Sequence, residues 1–75
     1  MNLTTGSFYK LVARTGEKGR KRTFICTFKS EKNNTFIFTN YLSDDTLQII
    51  IANKQDIISV KQVRQNKYEE WVEMV

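Results

Sequence analysis

The sequence predicts an all-β domain, a five- to six-stranded antiparallel barrel formed by the whole of residues 1–75. Three observations predict it. Residues 21–29 follow a period of two that places Phe24, Cys26 and Phe28 on one face, and residues 35–39 resume it, which is the spacing of a strand and not of a helix. Short runs rich in Phe, Ile, Val and Thr are separated by clusters of Gly, Asn, Asp and Ser, the punctuation of hairpins. A chain of 75 residues also has one small core, and a closed or half-closed sheet encloses such a core while removing exposed edges.

The elements follow in order. Residues 7–13, with Phe8, Tyr9, Leu11 and Val12, favour a first strand. Two of the three glycines, Gly16 and Gly19, fall in the polar stretch 14–20, which reads as a long loop. Residues 21–29 give the second strand, with Phe24, Cys26 and Phe28 on one face and Thr23, Ile25, Thr27 and Lys29 on the other. Asn33-Asn34 then supplies a two-residue connection, because asparagine tolerates the positive φ of tight hairpins. Residues 35–39 return as the third strand. The Ser-Asp-Asp core of 40–46 reads as a turn, and 47–52 as a fourth strand. Its triplet Ile49-Ile50-Ile51 predicts burial on both faces near the middle of the sheet. A break at 53–56 precedes a fifth strand over 57–63.

Two readings of residues 65–75 stay open. Tyr68, Trp71, Val72 and Val75 stand at helical offsets with Glu69, Glu70 and Glu73 opposite, which slightly favours a short amphipathic helix. Glu70, Val72 and Met74 also alternate with Trp71, Glu73 and Val75, so a sixth strand competes. The layout of residues 8–63 resembles that of the SH3-like and Sm-like small barrels: five short strands, a polar first connection and a brief break before the last strand. Neither an SH3 aromatic signature nor an Sm signature is present. The resemblance therefore implies a fold and transfers no residue roles, since such barrels bind RNA, DNA, peptides or other proteins.

Composition excludes several functions. There is no histidine, so an ordinary general base near neutral pH and any Ser-His or Cys-His pair are missing. Cys26 is the only cysteine, so the chain has no internal disulfide and one thiol does not complete a structural zinc site. It reads as a small buried hydrophobe and fits a reducing compartment. Asp44, Asp45 and Asp56 read as turn formers and not as cation ligands. The segment Gly16-Glu17-Lys18-Gly19 is too short for a phosphate loop. No cofactor or metal is implied. The N-terminus lacks a charged and then apolar leader, and the longest apolar run is far below a membrane span, so a cytoplasmic, non-enzymatic protein without membrane contact is expected.

Charge supplies the functional expectation. Residues 10–32 hold eight basic side chains (Lys10, Arg14, Lys18, Arg20, Lys21, Arg22, Lys29 and Lys32) against two acidic ones, whereas the rest of the chain is net acidic. A basic hairpin of this kind attracts a phosphate backbone, and Phe8, Tyr9 and Tyr41 are candidate stacking groups for bases. Phe24, Phe28, Phe36 and Phe38 are expected in the core, because so small a domain cannot spare them. The competing class is a protein-binding module or inhibitor of a larger partner, of the compact kind that phages and mobile elements encode. It would use Tyr68, Trp71 and Met74, residue types enriched at interface cores. A homo-oligomer formed through the tail or an open strand edge is a special case of this class.

Overall fold

The computed structural model describes residues 2–74, and these form six antiparallel strands. They are β1 (Phe8–Thr15), β2 (Arg20–Lys32), β3 (Thr35–Tyr41), β4 (Leu47–Asn53), β5 (Ile57–Gln65) and β6 (Trp71–Glu73). A single 3₁₀ turn, Lys54–Asp56, carries the chain from β4 to β5. The strand order is β4-β3-β2-β1-β5-β6. Four strands thus form a meander, and β5 crosses back to pair with the free side of β1. Among the described residues, no helix is long and apolar enough to cross a membrane.

The 13-residue β2 organises the sheet. Its first part, Arg20 to Thr27, pairs with β1, and its last part, Thr27 to Lys32, pairs with β3. A register shift between Phe28 and Ser30 separates the two parts, and a bulge of this kind bends a strand and increases its twist. The sheet can therefore turn on itself along β2 and bring one face inward. That face carries Tyr9, Leu11, Ala13, Cys26, Phe28, Phe36, Phe38 and Ile50 as the core. Leu3, Phe24, Ile57 and Val60 pack against it. Phe28 sits at its centre, with ring centroids 5.9 Å from Phe36, 5.6 Å from Phe38 and 6.5 Å from Tyr9, all edge-to-face.

Local chemistry explains the connections. Thr15 pairs with Arg20, so the expected long first loop is a four-residue turn in which Gly16 (φ 76°) and Gly19 (φ 60°) adopt the positive φ that glycine takes without strain. The Asn33-Asn34 hairpin forms as read, with Lys32 paired to Thr35 and Asn33 at φ 56°. In the β3–β4 turn the Asp44 carboxylate accepts the Thr46 backbone N–H at 3.0 Å, and the Thr46 side chain, with this backbone bond second, holds its pKa below the ordinary value. Burial pushes the Cys26 thiol up to about 12.

Three expectations need correction. The sheet is not closed, and its ends are β4 and β6. The isoleucine triplet is not buried on both faces, because β4 is an end strand: Ile50 is 7% exposed, but Ile49 and Ile51 are 57% and 67% exposed. The tail forms no helix. Asn66 Oδ1 accepts the backbone N–H groups of Tyr68 and Glu70, at 2.9 and 3.0 Å, and so fixes a turn with Glu69 at φ 64°. The competing strand reading holds for Trp71–Glu73, which pairs with β5. Val75 lies outside the described residues.

Candidate nucleic-acid interface

Alternation assigns each basic side chain of the first hairpin to a face. On β1 the inward positions are Tyr9, Leu11 and Ala13, which leaves Phe8, Lys10, Val12 and Arg14 on the opposite face, where Phe8, Lys10 and Arg14 are exposed and Val12 between the two cations is buried. Directly opposite residues in an antiparallel pair share a face. Lys21 therefore stands beside Arg14 on the outer face, and Ile25 beside Lys10. On the other side of β1, Lys61 of β5 lies directly opposite Lys10. The outer face of β5, β1 and β2 thus carries two like-charge pairs, Lys10 with Lys61 and Arg14 with Lys21, on a shared central strand.

Such pairs are unfavourable in the free protein. Among the described residues, Lys61 alone of these four makes an ion pair, with Nζ 3.6 Å from the Glu73 carboxylate across β5 and β6. Among the described residues Lys10, Arg14 and Lys21 make no ion pair, and Arg14 Nη1 donates only to the Gly19 carbonyl at 3.5 Å. All four cations are exposed.

At one end of this row the face becomes aromatic. Phe8 and Trp71 stack with centroids 5.0 Å apart and planes inclined at 49°. They remain 46% and 38% exposed, so each leaves ring surface open to solvent. From Phe8 to Arg14 the outer row of β1 extends about 20 Å, at roughly 3.4 Å per residue. Aromatic rings at one end and paired cations along the rest form a mixed surface that can meet both bases and phosphates.

The remaining sequence candidates scatter. Arg20 and Arg22 lie opposite Thr15 and Ala13, on the reverse face from Lys21. With Lys18, Glu17, Gly16 and Thr15 they line a shallow depression of about 560 Å³ at the hairpin tip. The stretch Arg20-Lys21-Arg22 is therefore not one contact surface. Lys29 sits at the β2 bulge, and Lys32 lies at the far hairpin beside Thr35. Tyr41, 70% exposed, ends β3 and pairs with Leu47, away from β1.

Tyr9 has to be corrected. It is 4% exposed, its hydroxyl accepts the Thr4 N–H at 2.7 Å, and it has no face to offer a base. The sequence contained the signal: Lys10 and Arg14 at even positions mark the outward parity of β1, which makes Phe8 the exposed aromatic. Lys61 was missed for a different reason, since only the β1–β5 pairing brings it beside Lys10.

The alternative partner-binding residues lie on and around β6. Tyr68 is 70% and Met74 49% exposed, flanking the half-covered Trp71. Among the described residues no three His, Cys, Asp or Glu side chains gather as a metal site. Comparison with known protein families, curated proteins and solved structures finds no match to this chain.

Proposed function

We propose that this chain is a non-enzymatic, half-closed barrel of SH3-like layout that binds nucleic acid along the outer face of β5, β1 and β2. The observation that carries the reading is the pair of directly opposed like charges, Lys10 with Lys61 and Arg14 with Lys21. A sheet gains nothing from such pairs by itself, whereas a bound phosphate backbone neutralises them and releases counterions. The exposed Phe8–Trp71 stack adds a platform on which a base can lie. The order meander, 3₁₀ turn, then β5 returning to β1 supports the SH3-like part of the proposal.

Fluorescence anisotropy with labelled single- and double-stranded DNA and RNA tests the function. Saturable binding that weakens as salt rises, and that is reduced by Lys10→Gln and by Trp71→Ala, is the expected result. Absence of binding to every oligonucleotide at low salt refutes it. A second reading, a protein-binding module or inhibitor, is favoured by the exposed Tyr68 and Met74 beside Trp71. It expects Tyr68→Ala and Met74→Ala to disrupt a protein complex without changing oligonucleotide affinity.

A further inference from the structure

The two ends of the sheet differ in a way that the nucleic-acid reading does not use. β6 is three residues long, too short to offer much of an edge. β4 is seven residues long, Leu47-Gln48-Ile49-Ile50-Ile51-Ala52-Asn53, and among the described residues pairs only with β3. Its register with β3 is unbroken from Tyr41↔Leu47 to Thr35↔Asn53, so no bulge twists its edge away. It contains no charge, proline or glycine. Natural edge strands are commonly protected by one of these devices or by brevity, and β4 has none of them.

Its outward side chains are also apolar. Leu47, Ile49 and Ile51 are 47%, 57% and 67% exposed, and Tyr41 lies beside Leu47 on the same face. The strand is self-complementary. A two-fold axis at Ile50 sets Ile49 of one copy opposite Ile51 of the other, twice, and Leu47 opposite Asn53. The flanking charges agree with that register: Asp44 and Asp45 precede β4 and Lys54, which also pairs with Glu31 of its own chain, follows it, so antiparallel pairing brings each acidic end toward a lysine. Elsewhere the protein carries a net charge of +4, which opposes association of two copies, but the paired strand itself is neutral.

We propose that β4 is a self-association edge whose occupant is the β4 of a second copy of this chain, paired antiparallel about Ile50. Backbone N–H and C=O groups on the free side of β4 gain ladder partners, and four isoleucines form a cross-strand patch that neither copy covers alone. The two-fold axis is perpendicular to the sheet, so the outer faces of both copies point the same way.

Sedimentation velocity without nucleic acid tests the proposal. The wild-type chain shifts from 8.8 kDa toward twice that mass as its concentration rises into the high-micromolar range. Ile51→Lys stays at the monomer mass while keeping its far-ultraviolet circular dichroism. A wild-type protein that remains monomeric, or a folded Ile51→Lys protein that still doubles, overturns it. A second experiment reads the register. Opposed Cα atoms in such a ladder lie about 4.5–5.5 Å apart, within disulfide range. Under oxidation an equimolar mixture of Ile49→Cys and Ile51→Cys chains is expected to cross-link far more than either variant alone. Equal cross-linking in all three samples, or none in the mixture, refutes the pairing.

Discussion

Replacing Arg14 and Lys21 together by glutamine should move affinity and stability in opposite directions. The two side chains face each other on the outer surface of the β1–β2 ladder. With four cations in contact (Lys10, Arg14, Lys21 and Lys61), log K should fall against log salt with a slope of about −2.8 to −3.6, at roughly −0.7 per phosphate for single strands and −0.9 for duplex. Between 50 and 200 mM salt that is about a 50- to 150-fold loss of affinity. The double variant keeps two cations, so its loss over the same range drops to about 7- to 12-fold.

Stability moves the other way. Two unit charges about 7 Å apart in water repel by roughly 0.6 kcal/mol, reduced further by salt. The variant should therefore be more stable by up to about 0.5 kcal/mol in the absence of ligand, read as a higher urea midpoint at unchanged m value. Anisotropy titrations across salt and urea unfolding followed by circular dichroism measure the two quantities on the same protein. An unchanged salt slope refutes the assignment of these residues to the interface. A loss of stability refutes the argument that the pair is unfavourable in the free chain.

Further predictions concern the scaffold. Phe36 is fully buried and packs edge-to-face on Phe28 and Phe38, so Phe36→Ala should cost about 3–5 kcal/mol. That is comparable to the ~3–5 kcal/mol that a core of this size supplies, and the variant should lack a cooperative melt at 25 °C. Asn33 holds a positive φ of 56°; Asn33→Val should cost about 1–2 kcal/mol, whereas Asn33→Gly should fold normally, as thermal melts will show. The Cys26 thiol, pushed up to about 12 by burial, should resist a thiol reagent at pH 8 in the native protein and react at once in denaturant. Because its folded pKa lies above its ordinary 9.0, its contribution to stability is complete below that value and is lost as pH rises toward 12, so urea midpoints should decline across this window.

The parts of the fold legible in the sequence were those fixed by neighbours along the chain. Phe24, Cys26 and Phe28 recur with period two, and the central β2–β3 hairpin followed from that pattern and from Asn33-Asn34. The parts that were not legible depend on pairing between distant strands. Ile49-Ile50-Ile51 looks the same in a central strand and in an end strand, and only the sheet order shows that two of the three face solvent. In the tail, Tyr68, Trp71 and Val72 stand at helical offsets, which slightly favoured a helix, while Glu70, Val72 and Met74 alternate with Trp71 and Glu73 as in a strand. The outcome was decided by the side chain of Asn66, which accepts the N–H groups of Tyr68 and Glu70 and fixes a turn.

The candidate site shows the same division. The excess of cations between Lys10 and Lys32 is plain in the sequence, but a run such as Arg20-Lys21-Arg22 overstates the surface that one ligand could touch. In a strand, neighbours in sequence point to opposite faces. The usable cluster is therefore made of Lys10 and Arg14 from β1, Lys21 from β2 and Lys61 from β5, assembled by two ladders.

Amide chemical-shift mapping of the ¹⁵N-labelled protein with a short oligonucleotide locates the binding face residue by residue. Shifts are expected to concentrate at Phe8, Lys10, Arg14, Lys21, Lys61 and Trp71, with the Trp71 indole N–H among them. Shifts confined to Arg20, Arg22 and Lys18 on the reverse face, or none at all at low salt, would contradict the proposed interface.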